Sequence, residues 1–255
     1  MSRLRYISLF SGIGAFEKGL ENKGIPFELL HYCEVDKYAS KAYSLIHNVP
    51  ESKNLGDITQ VDETQLPTDI DLLTYGFPCQ DISAAGLQKG MFNADGSHTR
   101  SGLFFEALRI ITACKPKIAI AENVKNLTST KFRPQFDLVL KSLDEAGYNN
   151  YWKIMNAKDY ELPQSRERVI IVSIRKDVDD GTFAFPEPVP LKHCLNDCLE
   201  PEVEQRYFLS ADQLEKIECS TFNQEKTRIQ NGGGGICQTL LARDYKAPKC
   251  VRVVQ

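Results

Sequence analysis

The sequence lacks the features that mark membrane, secreted and zinc-binding proteins. No apolar run approaches the roughly 20 residues that cross a bilayer, and the N-terminus has no basic stretch leading into an apolar segment with a cleavage site. None of the eight cysteines forms a C-x-x-C pair, so we expect no metal site and reduced thiols. These absences predict a cytoplasmic protein that is neither secreted nor inserted in a membrane.

An overall excess of basic residues is also missing. The formal net charge is −3, which argues against a protein that coats nucleic acid indiscriminately. The charge is unevenly distributed, because residues 197–218 carry seven acidic and two basic residues, whereas residues 221–255 carry six basic and two acidic ones. The basic segment could contact a phosphate backbone, and a solvated surface of mixed charge explains the same counts equally well.

The chain begins with the pattern of an α/β nucleotide-binding unit. A strand over residues 6–10 is followed by a glycine turn over residues 11–14, and helical spacing starts at Ala15. Glu17 occupies the place of the third glycine in a dinucleotide fingerprint, so tight pyrophosphate binding is not predicted. An adenosine ligand without phosphates remains possible.

A second strand, over residues 28–35, delivers Glu34 to its end. Glu34 lies 20 residues after Gly14. A carboxylate at this distance from the glycine turn can accept hydrogen bonds from ribose hydroxyls, or it can simply neighbour a helix cap. Asp36 suits the cap of a helix over residues 37–46. Residues 54–58 are predicted to form a short third strand or its end. Asp57 could accept a hydrogen bond from an adenine amino group, or it could stabilise a turn, and Ile58 could pack on the adenine ring.

The apolar run that starts at Leu72 stops abruptly at Pro78, Cys79 and Gln80. This pattern predicts a buried parallel strand that ends at the carboxyl edge of the sheet, where open α/β sheets bind ligands. Cys79 is then placed as a nucleophile, although a buried cysteine acting as a small hydrophobic residue fits the same stretch. Residues 81–100 contain three glycines and predict a loop that closes over a substrate.

Further strands and helices follow in alternation. Helices are predicted over residues 101–113 and 132–146, and strands over residues 118–121, 151–157 and 169–174. Glu122 directly follows an apolar strand, where a carboxylate needs a partner or a task. Arg166 and Arg168 would point the same way along an extended chain and could bind an anion, or they could form surface ion pairs.

The order of these motifs resembles that of the cytosine-C5 DNA methyltransferases over about residues 6 to 176. The resemblance implies a Rossmann-like, mostly parallel α/β sheet with a β-hairpin edge, residues 1–176 as the S-adenosylmethionine-binding catalytic domain, and residues 177–255 as a linker with a partial target-recognition region. It implies S-adenosyl-L-methionine as the cofactor, no metal, and double-stranded DNA as the partner in a bacterial or phage-infected cell. The implied cofactor residues are Phe10, Gly12, Gly14, Glu34, Asp57, Ile58, Pro78 and Leu103. The implied catalytic residues are Cys79, Glu122, Arg166 and Arg168, and the implied DNA contacts are Gln80, Gln164, Thr239 and Arg243.

The resemblance also implies a division of chemical roles. Cys79 would attack C6 of a flipped cytosine as a thiolate, and Glu122 would hydrogen-bond to N3 and the exocyclic amine. Arg166 would bind the base carbonyl oxygen, and Arg168 would hold Glu122 or the phosphodiester. Cytosine methylation in RNA on the same scaffold, and a catalytically silent DNA-binding subunit, are the alternatives.

The sequence departs from the family pattern after the recognition region. Two further motifs, an Arg-x-Leu-x-Pro-x-Glu-type pattern and an Asn-bearing final helix, are not found. A separate C-terminal subunit, a truncated chain and a compact variant would each explain this, and the first two are favoured because an uncovered apolar face is a liability.

Overall fold

The computed structural model describes residues 3–78, 100–218, 229–231, 235–239 and 250–252. These divide into two compact units. The first takes residues from 1–154 and 168–185, and the second takes residues from 155–167 and 186–255. The functional roles that the sequence assigns to residues 1–176 and 177–255 stay predictions.

The first unit is built on a six-stranded sheet with the strand order β2-β1-β3-β4-β7-β5. Strand β1 runs parallel to β2 and β3, and β3 runs parallel to β4, whereas β7 is antiparallel to β4. The expectation of a mostly parallel α/β sheet of Rossmann-like type is confirmed. The strands are β1 (Leu4–Leu9), β2 (Phe27–Cys33), β3 (Leu72–Tyr75), β4 (Ile118–Val124), β5 (Tyr148–Asn156) and β7 (Glu167–Arg175).

Among the residues that the structure describes, four helices accompany this sheet at the places that helical periodicity predicts. Asp36 caps the second of them, since its carboxylate accepts hydrogen bonds from the backbone N–H groups of Tyr38 and Ala39, each at 2.9 Å. A 3-10 turn at Arg100–Leu103 precedes the third helix. The helices are α1 (Ala15–Asn22), α2 (Lys37–His47), α3 (Phe104–Cys114) and α4 (Arg133–Glu145).

The predicted third strand over residues 54–58 is wrong. Asn54 makes only an isolated parallel bridge to Tyr32, and a 3-10 helix follows at Ile58–Gln60. The backbone turns away because Gly56 has a φ of +72° and Asp57 caps the 3-10 helix, accepting from the backbone N–H of Thr59 at 3.0 Å. Of the two roles considered for Asp57, the structure shows the turn-stabilising one.

The core explains why β3 is apolar without alternation. All four residues of β3 are buried, because helices cover both faces of a sheet that is parallel at its centre. A main cluster of buried side chains includes Leu73, Phe104 and Phe136, and a second cluster contains Tyr32 and Tyr43, whose rings stack at 4.1 Å.

The described residues of the second unit form short strands, 3-10 turns and an α-helix. Strand β6 (Gln164–Ser165) pairs in parallel with β9 (Cys237–Gln238), and β8 (Ile229–Asn231) pairs in parallel with β10 (Cys250–Arg252). Helix α5 spans Ala211–Glu218. Across the part of the chain that the structure describes, no helix has the length and apolarity needed to cross a membrane, and no three potential metal ligands cluster together.

Candidate active site

The parallel strands bring the predicted site residues to one edge of the sheet. In the strand register, Leu9 lies opposite both Cys33 and Tyr75, and Tyr75 lies opposite Ala121. The residues that follow these four positions therefore lie side by side at the carboxyl edge of the sheet. They are Phe10, Glu34, Gly76 and Glu122.

The glycine turn after β1 is held against the end of β2. Gly12 and Gly14 have φ values of +56° and +88°, and the Gly12 N–H donates to the Glu34 carboxylate at 2.9 Å. The Ser11 N–H donates to the carbonyl of Cys33 at 3.1 Å. Sequence analysis predicted both the glycine turn and Glu34, and the structure joins them directly.

Asn54 fixes the backbone of Glu34 from the opposite side. The Asn54 side chain accepts from the Glu34 N–H at 3.0 Å and donates to the Glu34 carbonyl at 2.9 Å. The second carboxylate oxygen of Glu34 accepts from the Asp36 N–H at 2.8 Å. Because each carboxylate oxygen can accept a further hydrogen bond, the oriented Glu34 side chain can still accept from hydroxyl groups of a ligand. Sequence analysis missed this role of Asn54.

Cys33 lies between the two acidic positions of the predicted cofactor region. Its thiol donates to the Gly56 carbonyl at 3.1 Å. Burial, and to a smaller extent the nearby charges of Glu34 and Asp57, raise the pKa of Cys33 to about 12. The thiol is therefore held neutral and unreactive at physiological pH.

The predicted apolar contacts of the cofactor differ in their burial. Phe10 and Leu103 are half-buried and pack against the main core, and Pro78 is also half-buried. Ile58 is only 4% exposed, so the core already covers most of its surface.

Glu122 forms an ion pair with Arg168 across the antiparallel pair of strands β4 and β7. The Arg168 Nε donates to a carboxylate oxygen of Glu122 at 2.8 Å, and the side chains of Arg168 and Glu122 are 18% and 29% exposed. A Cβ atom added at Gly76 would lie 3.8 Å from the other carboxylate oxygen. The structure thus places Glu122, Arg168 and the end of β3 together, and of the two roles predicted for Arg168 it shows the one that holds Glu122.

Asn123 is a second residue that sequence analysis missed. Its side chain is in the core at 2% exposure, donates to the carbonyl of Phe77 at 3.1 Å, and accepts from the Val124 N–H at 2.8 Å. It ties the end of β4 to the segment that precedes Cys79. A sequence signal was available, because Asn123 follows Ala119 and Ala121 at strand spacing, and an amide on the same face as buried residues requires partners.

We expect Asn123→Asp to lower the free energy of unfolding by about 1–3 kcal/mol or more, because a carboxylate cannot donate to the Phe77 carbonyl and is costly to bury. Urea unfolding measures the change. Asn22→Asp makes the same chemical change at an exposed position in α1 and should cost no more than about 0.5 kcal/mol. Equal stabilities of the two variants would contradict the structural role of Asn123.

The glycines at the start of α1 allow a second prediction. Gly14→Ala places a Cβ at a φ of +88° and 2.1 Å from the Nε2 of His47, and we expect it to cost about 2–5 kcal/mol of stability. Gly12→Ala meets no atom within 4 Å but has a φ of +56°, so it should cost about 1–2 kcal/mol. Gly19→Ala lies within α1 with no contact and should stabilise by about 0.5–1 kcal/mol. Chemical denaturation of the three variants would refute this account if Gly14→Ala were no worse than Gly12→Ala.

Two predicted DNA contacts come together in the second unit. The parallel pairing of β6 with β9 sets Gln164 beside Cys237, and the Thr239 hydroxyl donates to the Ser165 carbonyl at 2.8 Å. The Arg166 N–H donates to the Asn156 side chain at 2.9 Å. Cys79, Gln80 and Arg243 lie outside the described residues.

The sequence profile of the C-5 cytosine-specific DNA methylases matches residues 4–247. The orphan methyltransferase M.Rho11sI of Bacillus phage rho11s is 41% identical over 245 residues, which are 85% of this chain and 48% of that protein. The type II methyltransferase M.HhaI of Haemophilus parahaemolyticus is 39% identical over 209 residues, which are 82% of this chain and 61% of that protein. The chain thus spans about half to three-fifths of the length of these curated relatives.

Solved structures share the fold at lower sequence identity. EhMeth, a methyltransferase of Entamoeba histolytica, superposes with a TM-score of 0.74 and 17% identity, covering 98% of this chain and 74% of that one. The Dnmt2 methyltransferase of S. pombe gives a TM-score of 0.67 and 18% identity, covering 99% and 77%. The profile match and the sequence relatives establish that the chain belongs to the C-5 cytosine-specific DNA methylases, a family whose methyl donor is S-adenosylmethionine.

Proposed function

We propose that this chain carries the catalytic machinery of a DNA cytosine-C5 methyltransferase. The observation that carries the proposal is the Glu122–Arg168 ion pair beside Gly76, at the end of the strand that leads to Cys79. A carboxylate held by an arginine next to the segment that bears a thiol supplies the acid–base group and the nucleophile that cytosine activation needs.

The residues of the sheet edge fit S-adenosylmethionine. Glu34 offers an oriented carboxylate for ribose hydroxyls, and the space beside Gly12 is open, since a Cβ there would meet no atom within 4 Å. The turn lacks a third glycine, which matches a ligand without phosphates. Bound there, the cofactor supplies an electrophilic methyl group. The residues proposed to hold it are Phe10, Gly12, Gly14, Glu34, Asp57, Ile58, Pro78 and Leu103.

The chemistry begins at the target base. The Cys79 thiolate adds to C6 of cytosine, while Glu122, in its protonated form, donates its proton to N3 and so neutralises the charge that the thiolate brings into the ring. Arg168 keeps the Glu122 carboxyl group facing the base. S-adenosylmethionine, when bound, would supply the methyl group for C5 of the resulting enamine and would leave as S-adenosylhomocysteine. Loss of the C5 proton, expulsion of the Cys79 thiolate and return of the N3 proton to Glu122 would then restore the neutral aromatic ring.

The target cytosine must leave the DNA stack, because C6 cannot be reached in a duplex. Gln80, Gln164, Thr239 and Arg243 are proposed DNA contacts, and Arg166 is proposed to bind the base carbonyl oxygen. The hydrogen bond between Thr239 and Ser165 supports a shared location for Thr239 and Gln164. Activity in a bacterial or phage-infected cytoplasm, and the need for a separate C-terminal subunit, stay predictions.

The proposal is tested by incubating the chain with labelled S-adenosylmethionine and either duplex DNA or RNA, and by identifying the methylated nucleoside by mass spectrometry. We expect 5-methylcytosine in DNA. If the methyl label appeared only in RNA, the substrate would be RNA and not DNA. Binding of DNA without any affinity for S-adenosylmethionine would indicate a catalytically silent DNA-binding subunit. Bisulfite sequencing of DNA from cells that express the chain would report the target sequence.

A further inference from the structure

His47, the last residue of α2, lies against the glycine turn of the proposed cofactor site. Its side chain is 3% exposed. The Nε2 atom lies 3.1 Å from the carbonyl oxygen of Ile13, which is the residue between the two turn glycines. The Nδ1 atom lies 3.1 Å from a carboxylate oxygen of Glu21 on α1. One imidazole ring thus connects α2, α1 and the turn.

Both partners of the ring are hydrogen-bond acceptors. A carbonyl oxygen can only accept, and the carboxylate of Glu21 is ionised at neutral pH, because the hydrogen bonds from His47 and then from Lys18 lower its pKa. A neutral imidazole has one N–H and could satisfy only one of these partners. An N–H on Nε2 would bond to the glycine turn, and an N–H on Nδ1 would bond to α1.

The surroundings of the ring contain few other ionisable groups. Lys18 bonds to Glu21 at 3.1 Å, and the Tyr43 ring lies 4.8 Å from the imidazole. The Tyr43 hydroxyl points to Glu17, to which it donates at 2.9 Å, and not to His47. Gly14 is compatible with this arrangement because it has no side chain, since a Cβ there would lie 2.1 Å from Nε2.

We propose that His47 is a positioning residue for the cofactor, which holds the glycine turn in its binding shape through the hydrogen bond between its Nε2 and the Ile13 carbonyl, while its Nδ1 hydrogen-bonds to Glu21 on α1. This inference rests on the proposed function, because it assigns the turn to S-adenosylmethionine.

Calorimetric binding of S-adenosylhomocysteine to the full chain tests this role. His47→Leu keeps an apolar volume without a donor and should weaken binding by about tenfold, whereas His47→Gln can still donate to Ile13 and should retain part of the affinity. His193→Gln is the matched control, since that histidine is 63% exposed and lies 3.8 Å from Asp197. It should bind within about twofold of the parent chain.

The difference between the two variants separates positioning from a merely structural role. Leucine and glutamine both remove the ring, but only glutamine can donate a hydrogen bond to the Ile13 carbonyl, so only glutamine should restore part of the affinity. Equal affinity of the parent chain and His47→Leu, or equal affinities of His47→Leu and His47→Gln in two folded proteins, would overturn the proposal.

Imidazole nitrogen NMR examines the hydrogen bonds without any ligand. We expect the Nε2 of His47 to carry a proton that is hydrogen-bonded to the Ile13 carbonyl. A His47 ring whose Nε2 carries no proton would overturn the hydrogen bond to the glycine turn even if the cofactor binds. A protonated Nε2 in a chain that does not bind S-adenosylhomocysteine would instead refute the proposed function and, with it, the cofactor role of His47.

Discussion

Cys79→Ser is expected to abolish methyl transfer, with a loss of at least about four orders of magnitude. A serine hydroxyl is hardly ionised at neutral pH and does not add to C6, whereas a thiolate does. A DNA duplex containing 5-fluorocytosine should trap a covalent adduct with the parent chain, because fluorine at C5 cannot leave as a proton does. Denaturing electrophoresis should show this adduct for the parent chain and not for Cys79→Ser.

Cys198→Ser provides the control for this experiment, since Cys198 is an exposed free cysteine. It should methylate and form the adduct at the parent rate, and both variants should bind S-adenosylhomocysteine within about twofold of the parent chain. An adduct that survives Cys79→Ser would show that another residue is the nucleophile.

Glu122→Gln is expected to lower kcat by about 10²–10⁴-fold while cofactor binding stays unchanged. Glutamine keeps the size of the side chain but cannot deliver a proton to N3, so the charge arriving from Cys79 is left in the ring. The substitution also replaces the charged partner of Arg168, which lies 2.8 Å away. Single-turnover methylation should show the loss, and adduct formation with 5-fluorocytosine DNA should slow with it.

Glu106→Gln is the matched control for Glu122→Gln. Glu106 pairs with Arg109 at 2.9 Å on α3, and its side chain is 26% exposed against 29% for Glu122. Loss of an arginine partner therefore occurs in both variants, but only Glu122 lies at the carboxyl edge of the sheet. Similar losses of kcat in the two variants would mean that each ion pair affects kcat by stabilising the folded protein and that Glu122 has no chemical role.

Local patterns were sufficient for most of the secondary structure. Helical spacing and the Asp36 cap predicted α2, and an apolar run without alternation predicted the buried strand β3. The third strand was predicted wrongly, because only Leu55 and Ile58 are apolar among residues 54–58, and Gly56 and Asp57 turn the backbone into a 3-10 helix. A single bridge between Asn54 and Tyr32 is all that remains of the strand pattern.

The sequence by itself determined the family motifs, the order of strands and helices along the chain, and the acidic and glycine positions at strand ends, because these depend on residues near one another in the chain. Only the tertiary structure decided which distant residues form hydrogen bonds with the residues at these strand ends. Gly12 meets Glu34 across 22 residues, Ile13 meets His47 across 34, and Phe77 meets Asn123 across 46. Such hydrogen bonds depend on the register between parallel strands and on where the helices pack, and no local pattern encodes either.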